Sequence, residues 1–124
     1  MPKFSKASLE QRETLHDKLK AICDKAIKIT DFKIVEGSRS EEKQNQLFEQ
    51  GYSKVKFPNS KHNKTPSLAM DLLPYPFEGW NNKEQFYELA GVIKAVAYDY
   101  GVKIKWGGDF KGFFDGMHFE IEEN

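Results

Sequence analysis

Two histidines and two aspartates have the types and spacing of a metal-dependent catalytic site. His62 lies in a polar loop, Asp71 follows nine residues later within the apolar run 68–73, and His118 comes three residues after Asp115. A carboxylate inside an apolar strand is costly to bury unless it is paired or bound to a metal. Two histidines and one carboxylate are protein ligands of catalytic zinc, which keeps a fourth position open. The sequence therefore predicts zinc ligation by His62, Asp71 and His118.

A second carboxylate could supply acid–base chemistry at the same place. Asp115 is close enough to His118 in sequence to reach the fourth metal position. There it could take a proton from the attacking water and pass it to the leaving amine. Taken singly, His62 could instead cap its loop and Asp71 could bond a neighbouring backbone group. The two motifs together favour the metal interpretation.

Three further polar residues are candidates for the site. Arg39 lies in a Gly-Ser-Arg-Ser turn between a strand and a helix, where its guanidinium could hold a substrate carboxylate or a developing oxyanion. It could also be a surface arginine. Gln44 could face the site or lie on the helix surface. Glu120 shares a strand face with His118, and could orient that imidazole or be a solvated charge.

The remaining histidine and the single cysteine have simpler interpretations. His16 follows Leu15 directly and so falls off the apolar stripe of its helix, which predicts a histidine facing solvent. Cys23 lies in the same helical pattern and is expected to fill the core. A lone cysteine cannot form an internal disulfide, so the fold does not depend on an oxidising compartment.

Charge and hydropathy exclude several classes of partner. Lys plus Arg equals Asp plus Glu, 19 against 19, which gives no electrostatic case for binding nucleic acid or an anionic membrane. No run approaches the roughly 18 apolar residues of a membrane span, and residues 1–9 lack the apolar stretch of a signal peptide. We expect synthesis and folding in the cytoplasm, without stable membrane association.

The elements that must position these residues follow from apolar periodicity. An apolar stripe predicts one helix over 8–29, which Ser8 would cap, and a strand follows at 32–36. Ser40 would cap a second helix that buries Leu47 and Phe48 and ends at Gly51. A loop at 52–66 precedes a strand at 68–73, a helix at about 82–100, and strands at 102–106 and 117–121. This order predicts an α+β domain with helices packed on a small antiparallel sheet.

Three segments in this order resemble the zinc D-Ala-D-Ala carboxypeptidase superfamily. They are Phe32 to Ser40 with Gln44, Ser60 to Pro74, and Trp106 to Asp109 with Asp115 to Glu120. Within the superfamily the chain is most similar to phage endolysins of the L-alanyl-D-glutamate peptidase type. The gap from His62 to Asp71 is nine residues where many members have seven, and Asp115 stands where many have Glu.

The resemblance implies a role for each of these residues. It implies one zinc held by His62, Asp71 and His118, with Asp115 as general base and Arg39 stabilising the substrate or transition state. It also implies that Gln44, Ser60 and Trp106 contact the substrate. Glu120 is implied to contact a metal ligand without binding the metal itself. The implied fold is that of hedgehog domains and DD-peptidases, with residues 1–124 as one catalytic domain.

The implied function is hydrolysis of peptidoglycan stem peptides at the L-alanyl-D-glutamate bond. A monomeric phage endolysin would wait in the host cytoplasm until a holin-type partner opens the membrane, and would then act on the wall. Two alternatives stay open. One is a D-Ala-D-Ala carboxypeptidase or dipeptidase, and the other is a non-catalytic zinc-containing module that binds the wall.

Overall fold

Four α-helices and four β-strands make up the part of the chain that the computed structural model describes, residues 3–122. In chain order they are α1 (Lys6–Arg12), α2 (Asp17–Ala26), β1 (Phe32–Glu36), α3 (Glu41–Glu49), β2 (Ala69–Pro74), α4 (Glu84–Asp99), β3 (Ile104–Trp106) and β4 (His118–Ile121). Short 3₁₀ helices occupy Lys61–Asn63 and Gly107–Asp109. The α+β prediction is confirmed. Among the described helices, none has the length and apolar character needed to cross a membrane.

The strands form one antiparallel sheet in the order β1-β2-β4-β3. One face carries Ile34, Met70 and Phe119, which are buried against α2 and α4 in the hydrophobic core. Side chains alternate between the two faces of a strand, so the residues between them project the other way. Asp71 and His118 are directly opposite each other on this second face.

A β-bulge in β1 changes which residues reach the second face. Ile34 is opposite Leu72, but Glu36 rather than Val35 is opposite Asp71, so the register slips by one residue. Strict alternation would send Glu36 to the core side with Ile34. The extra residue instead places Glu36 beside Asp71, which is a common use of bulges near functional sites.

The prediction of one helix over residues 8–29 is wrong, because the chain forms α1 and α2 with a break between them. At the break the Ser67 amide donates to the Thr14 carbonyl, and the His16 amide donates to the Ser67 carbonyl. Leu15 remains buried between these two bonds. The apolar stripe therefore continues across the break, which is why periodicity does not detect it.

Details at the helix ends also differ from the predictions. Ser5, not Ser8, caps α1, and Ile29 lies beyond the end of α2 with 57% of its surface exposed. In α3, Leu47 and Phe48 are only half-buried, whereas Gln44 is completely buried. The polar side of this helix faces inward because its buried partner is a network of polar groups and not the apolar core.

Ser8 provides a test of how α1 is joined to the sheet. It is buried, and its hydroxyl accepts a hydrogen bond from the Ile34 amide at 3.1 Å. Ser8→Ala removes this acceptor and leaves a buried amide without a partner, while the Ser8 amide can still donate to Ser5. We expect the free energy of unfolding, measured in urea, to fall by about 1–3 kcal/mol. Replacement of the exposed Ser38 by Ala should change stability far less, and equal effects would contradict this role.

Candidate metal centre and active site

Three ligand atoms converge on the second face of the sheet. His62 Nε2 lies 3.3 Å and His118 Nδ1 lies 3.4 Å from Asp71 Oδ1, and all three atoms lie within 4.8 Å of one another. The pairing of β2 with β4 sets Asp71 against His118, and the 3₁₀ helix Lys61–Asn63 brings His62 over them. This spacing suits three ligands of a single ion.

Each imidazole has its second nitrogen occupied by a protein acceptor. His62 Nδ1 donates to the Gly37 carbonyl at 2.7 Å, and His118 Nε2 donates to Glu120 at 2.7 Å. These partners can only accept, so they keep the outer nitrogen of each ring protonated and leave His62 Nε2 and His118 Nδ1 facing Asp71 as the two atoms that a metal could bind. Glu120 is fixed in turn by the Lys61 ammonium at 3.1 Å.

Two of the three converging atoms lack the hydrogen bonds that buried polar atoms normally have. His62 Nε2 and Asp71 Oδ1 are buried and, among residues 3–122, have no hydrogen-bond partner. A buried polar atom without a partner is destabilising and calls for an explanation. A metal ion bound by both atoms would supply one, so the donor set fits a metal site.

The charges around the three ligands reinforce one another. Burial opposes ionisation of Asp71, but the His118 and His62 imidazoles outweigh it and lower the pKa of Asp71. Burial likewise opposes the His118 imidazolium, yet Asp71 and Glu120 raise the pKa of His118 to about 9. Burial also acts against ionised Glu120, while His118 and Lys61 lower the pKa of Glu120 to about 2. A metal bound here would displace the His118 proton.

Asp115 is placed in the same groove but outside the three-ligand cluster. Within the described chain its carboxylate forms no ion pair shorter than 4 Å, and burial together with the Asp71 charge raises the pKa of Asp115. Its amide donates to the Gly107 carbonyl, and its own carbonyl accepts from the His118 amide. A Cβ at position 107 would lie 2.1 Å from the Asp115 carbonyl oxygen, so only glycine allows this approach.

Arg39 is fixed by two partners and directed toward the ligand cluster. Its Nε donates to Glu36 at 2.6 Å and its Nη1 donates to Gln44 at 2.9 Å, while Nη2 lies 3.5 Å from Asp71 Oδ2. Lys43 also pairs with Glu36. Sequence patterns did not identify Glu36, because only the bulge in β1 brings it to this face.

Three residues expected to contact substrate occupy supporting positions. Gln44 is completely buried and bonds Arg39, and Ser60 caps the 3₁₀ helix by accepting from the His62 amide. Ser60 borders the groove. Trp106 is buried in the core, and its indole donates to the Gly116 carbonyl at 2.8 Å. All three support residues of the cluster or of the segment that carries Asp115.

Two other polar residues lie apart from the ligand cluster. His16 is half-buried and caps α2 by accepting from the Lys18 amide, so it is less exposed than predicted and lies outside the three-ligand group. Asp109 pairs with Lys94 on the surface at 2.6 Å. Cys23 is completely buried, as predicted, and burial raises the pKa of its thiol.

The cluster opens into a groove of about 600 Å³. One wall comes from α3 and the loop after it, and the other from the segment before β4. The first wall includes Lys43, Leu47, Tyr52, Ser53, Lys54 and Val55. The second wall includes Phe110 and Phe113. Asp71, Asp115 and His118 also line it. The volume is within the usual range of sites that bind small molecules.

Comparisons with known proteins identify the family of this chain. The family model described as phage L-alanyl-D-glutamate peptidase matches residues 1–122. The crystal structure of the Serratia marcescens L-Ala D-Glu endopeptidase ChiX is similar to this chain, with a TM-score of 0.84 and 25% sequence identity over 96% of this chain and 89% of that one. The match spans nearly the whole sequence and confirms the family resemblance. The chain therefore belongs to the phage L-alanyl-D-glutamate peptidase family and is a peptidase that acts on peptidoglycan.

Proposed function

We propose that this chain is a zinc-dependent endopeptidase that hydrolyses the L-alanyl-D-glutamate bond of peptidoglycan stem peptides during phage lysis. The observation that carries the proposal is the convergence of His62, Asp71 and His118 in the groove, with two buried ligand atoms that lack other partners. Family membership supports the choice of bond.

One zinc ion per chain would be held by His62 Nε2, Asp71 and His118 Nδ1. Two imidazoles with one carboxylate suit zinc better than magnesium or calcium, which prefer oxygen ligands. When bound, zinc supplies a Lewis acid that polarises the scissile carbonyl and makes water a better nucleophile. Glu120 and the Gly37 carbonyl keep the two rings oriented through their outer nitrogens.

Asp115 is proposed as the general base and acid. Its carboxylate is free of ion pairs among the described residues, unlike Asp71, Glu36 and Glu120. Burial and the Asp71 charge raise the pKa of Asp115, which brings it closer to neutrality and strengthens it as a base. It would accept a proton from the attacking water and return it to the leaving amine.

Arg39 is proposed to stabilise negative charge that develops at the scissile carbonyl. Glu36 and Gln44 hold its guanidinium in one orientation, so no reorganisation is needed when charge appears. We accordingly propose that Gln44 positions Arg39 instead of touching substrate, and that Ser60 and Trp106 position His62 and the Asp115 segment in the same way.

The wider biological setting is proposed from the family of phage peptidases. Residues 1–124 would act as one catalytic domain and as a monomer. The protein would be made in the host cytoplasm and would reach peptidoglycan once a holin-type partner opens the membrane.

Metal dependence is the first test of this proposal. A chelator should abolish wall lysis, and zinc should restore it. His118→Ala should lose both zinc, measured by elemental analysis, and lysis, since it removes one of three ligands. His16→Ala should keep both, because His16 lies outside the cluster. Full activity of an exhaustively metal-free sample would rule out the zinc proposal.

The role of Asp115 can be separated from metal binding. Asp115→Asn keeps the size of the side chain but cannot accept the proton, so turnover should fall by about 10²–10⁴-fold while zinc content stays unchanged. Kinetics and metal analysis on the same preparation measure both quantities. Loss of zinc in this variant would show that Asp115 is a ligand. Unchanged turnover would favour a different base, whereas no cleavage by the wild-type protein would favour a non-catalytic module.

The bond that is cut can be identified by mass spectrometry of digested peptidoglycan. We expect new amino termini at D-glutamate and little release of D-Ala, because the chain belongs to the phage L-alanyl-D-glutamate peptidase family. D-Ala as the main product, with stem peptides otherwise intact, would move the assignment to a carboxypeptidase and leave the metal site unaffected.

A further inference from the structure

Four lysine and arginine side chains line the groove, and they differ in whether a carboxylate already pairs with them. Arg39 and Lys43 both pair with Glu36, and Lys61 pairs with Glu120. Within residues 3–122, Lys54 is the groove cation that forms no ion pair. A cation without a partner at a binding groove is available to a ligand anion.

The Lys54 side chain reaches across the groove. Its ammonium lies 5.5 Å from the centre of the Phe113 ring, although Lys54 and Phe113 belong to opposite walls. The two residues are exposed to solvent, so this cation–π contact is weak and can give way to a carboxylate. The Lys54 ammonium therefore lies over the opening of the groove and is not neutralised by a carboxylate.

The residues on both sides of Lys54 are hydrogen-bonded to Gln44, which also contacts Arg39. The buried Gln44 amide donates to the Ser53 hydroxyl at 2.8 Å and to the Val55 carbonyl at 2.7 Å. The oxygen of the same amide accepts from Arg39. The buried Gln44 side chain therefore fixes the position of the Lys54 backbone relative to Arg39. A lysine elsewhere on the surface would not be positioned in this way.

The proposed substrate brings an anion to this place. A glutamyl residue has two carboxyl groups, and at most one of them can continue the peptide. After an alanine–glutamate bond is placed at the metal centre, the remaining carboxylate lies within a few bonds of the scissile nitrogen. A groove cation that is not already paired can bind it.

We propose that Lys54 binds the free carboxylate of the glutamyl residue and so selects substrates in which that group is not amidated. The inference rests on the proposed function and names the residue that reads its substrate. Lys54 is a specificity residue and takes no part in proton transfer.

The test compares two stem peptides that differ only in whether the free glutamyl carboxyl is a carboxylate or a carboxamide. The wild-type protein should have a kcat/KM on the order of tenfold higher for the carboxylate form, as expected for a hydrogen bond between charged groups. Lys54→Met keeps the aliphatic length and removes the charge. It should lose most of this preference by slowing cleavage of the carboxylate peptide alone, and Lys54→Arg should largely retain it.

Lys56→Met is the matched control. Lys56 is two residues after Lys54 in the sequence, but its ammonium lies over the Phe48 ring and it is not among the residues that line the groove. It should keep the wild-type preference. Equal cleavage of both peptides by the wild type, or an unchanged preference in Lys54→Met, would overturn the role of Lys54 alone. Cleavage of neither peptide by the wild type would overturn the proposed function, and this inference with it.

Discussion

The buried carboxylate of Asp71 is the constraint on which the rest of the site depends. It lies in β2 between residues that pack into the core, where an isolated charge would be strongly destabilising. His62, His118 and Arg39 approach it from three different segments of the chain. These three side chains compensate the charge of Asp71, and the two histidines together with Asp71 form a group that could hold a metal ion.

Local signals in the sequence were enough to find most elements and the three residues that converge on the second face of the sheet. A strand at 32–36 and an aspartate within an apolar run are visible without any partner, since alternation and composition are local properties. The break between α1 and α2 could not be predicted, because it depends on Ser67 pairing with residues far away in sequence. Glu36 was missed for the same reason, since its face is set by a bulge relative to β2.

Gln44 shows how one buried polar residue can connect several parts of the candidate site. Its sequence context left a site-facing amide and plain helix surface equally open, and the structure buries it completely. Its oxygen holds Arg39 while its nitrogen holds the loop on either side of Lys54. An apolar residue of similar size would fill the space but leave the Val55 carbonyl and the Arg39 guanidinium without these partners.

Pairing divides the charged groups of the groove by what they can do. Glu36, Glu120 and Lys61 each form an ion pair with an oppositely charged neighbour, and these ion pairs hold the neighbouring side chains in place. Asp115 and Lys54 have no such neighbour within the described residues. An unpaired carboxylate can take and return a proton, and an unpaired ammonium can meet an incoming anion. We therefore propose that Asp115 and Lys54 act on the substrate directly, while Arg39 does so from the position in which Glu36 and Gln44 hold it.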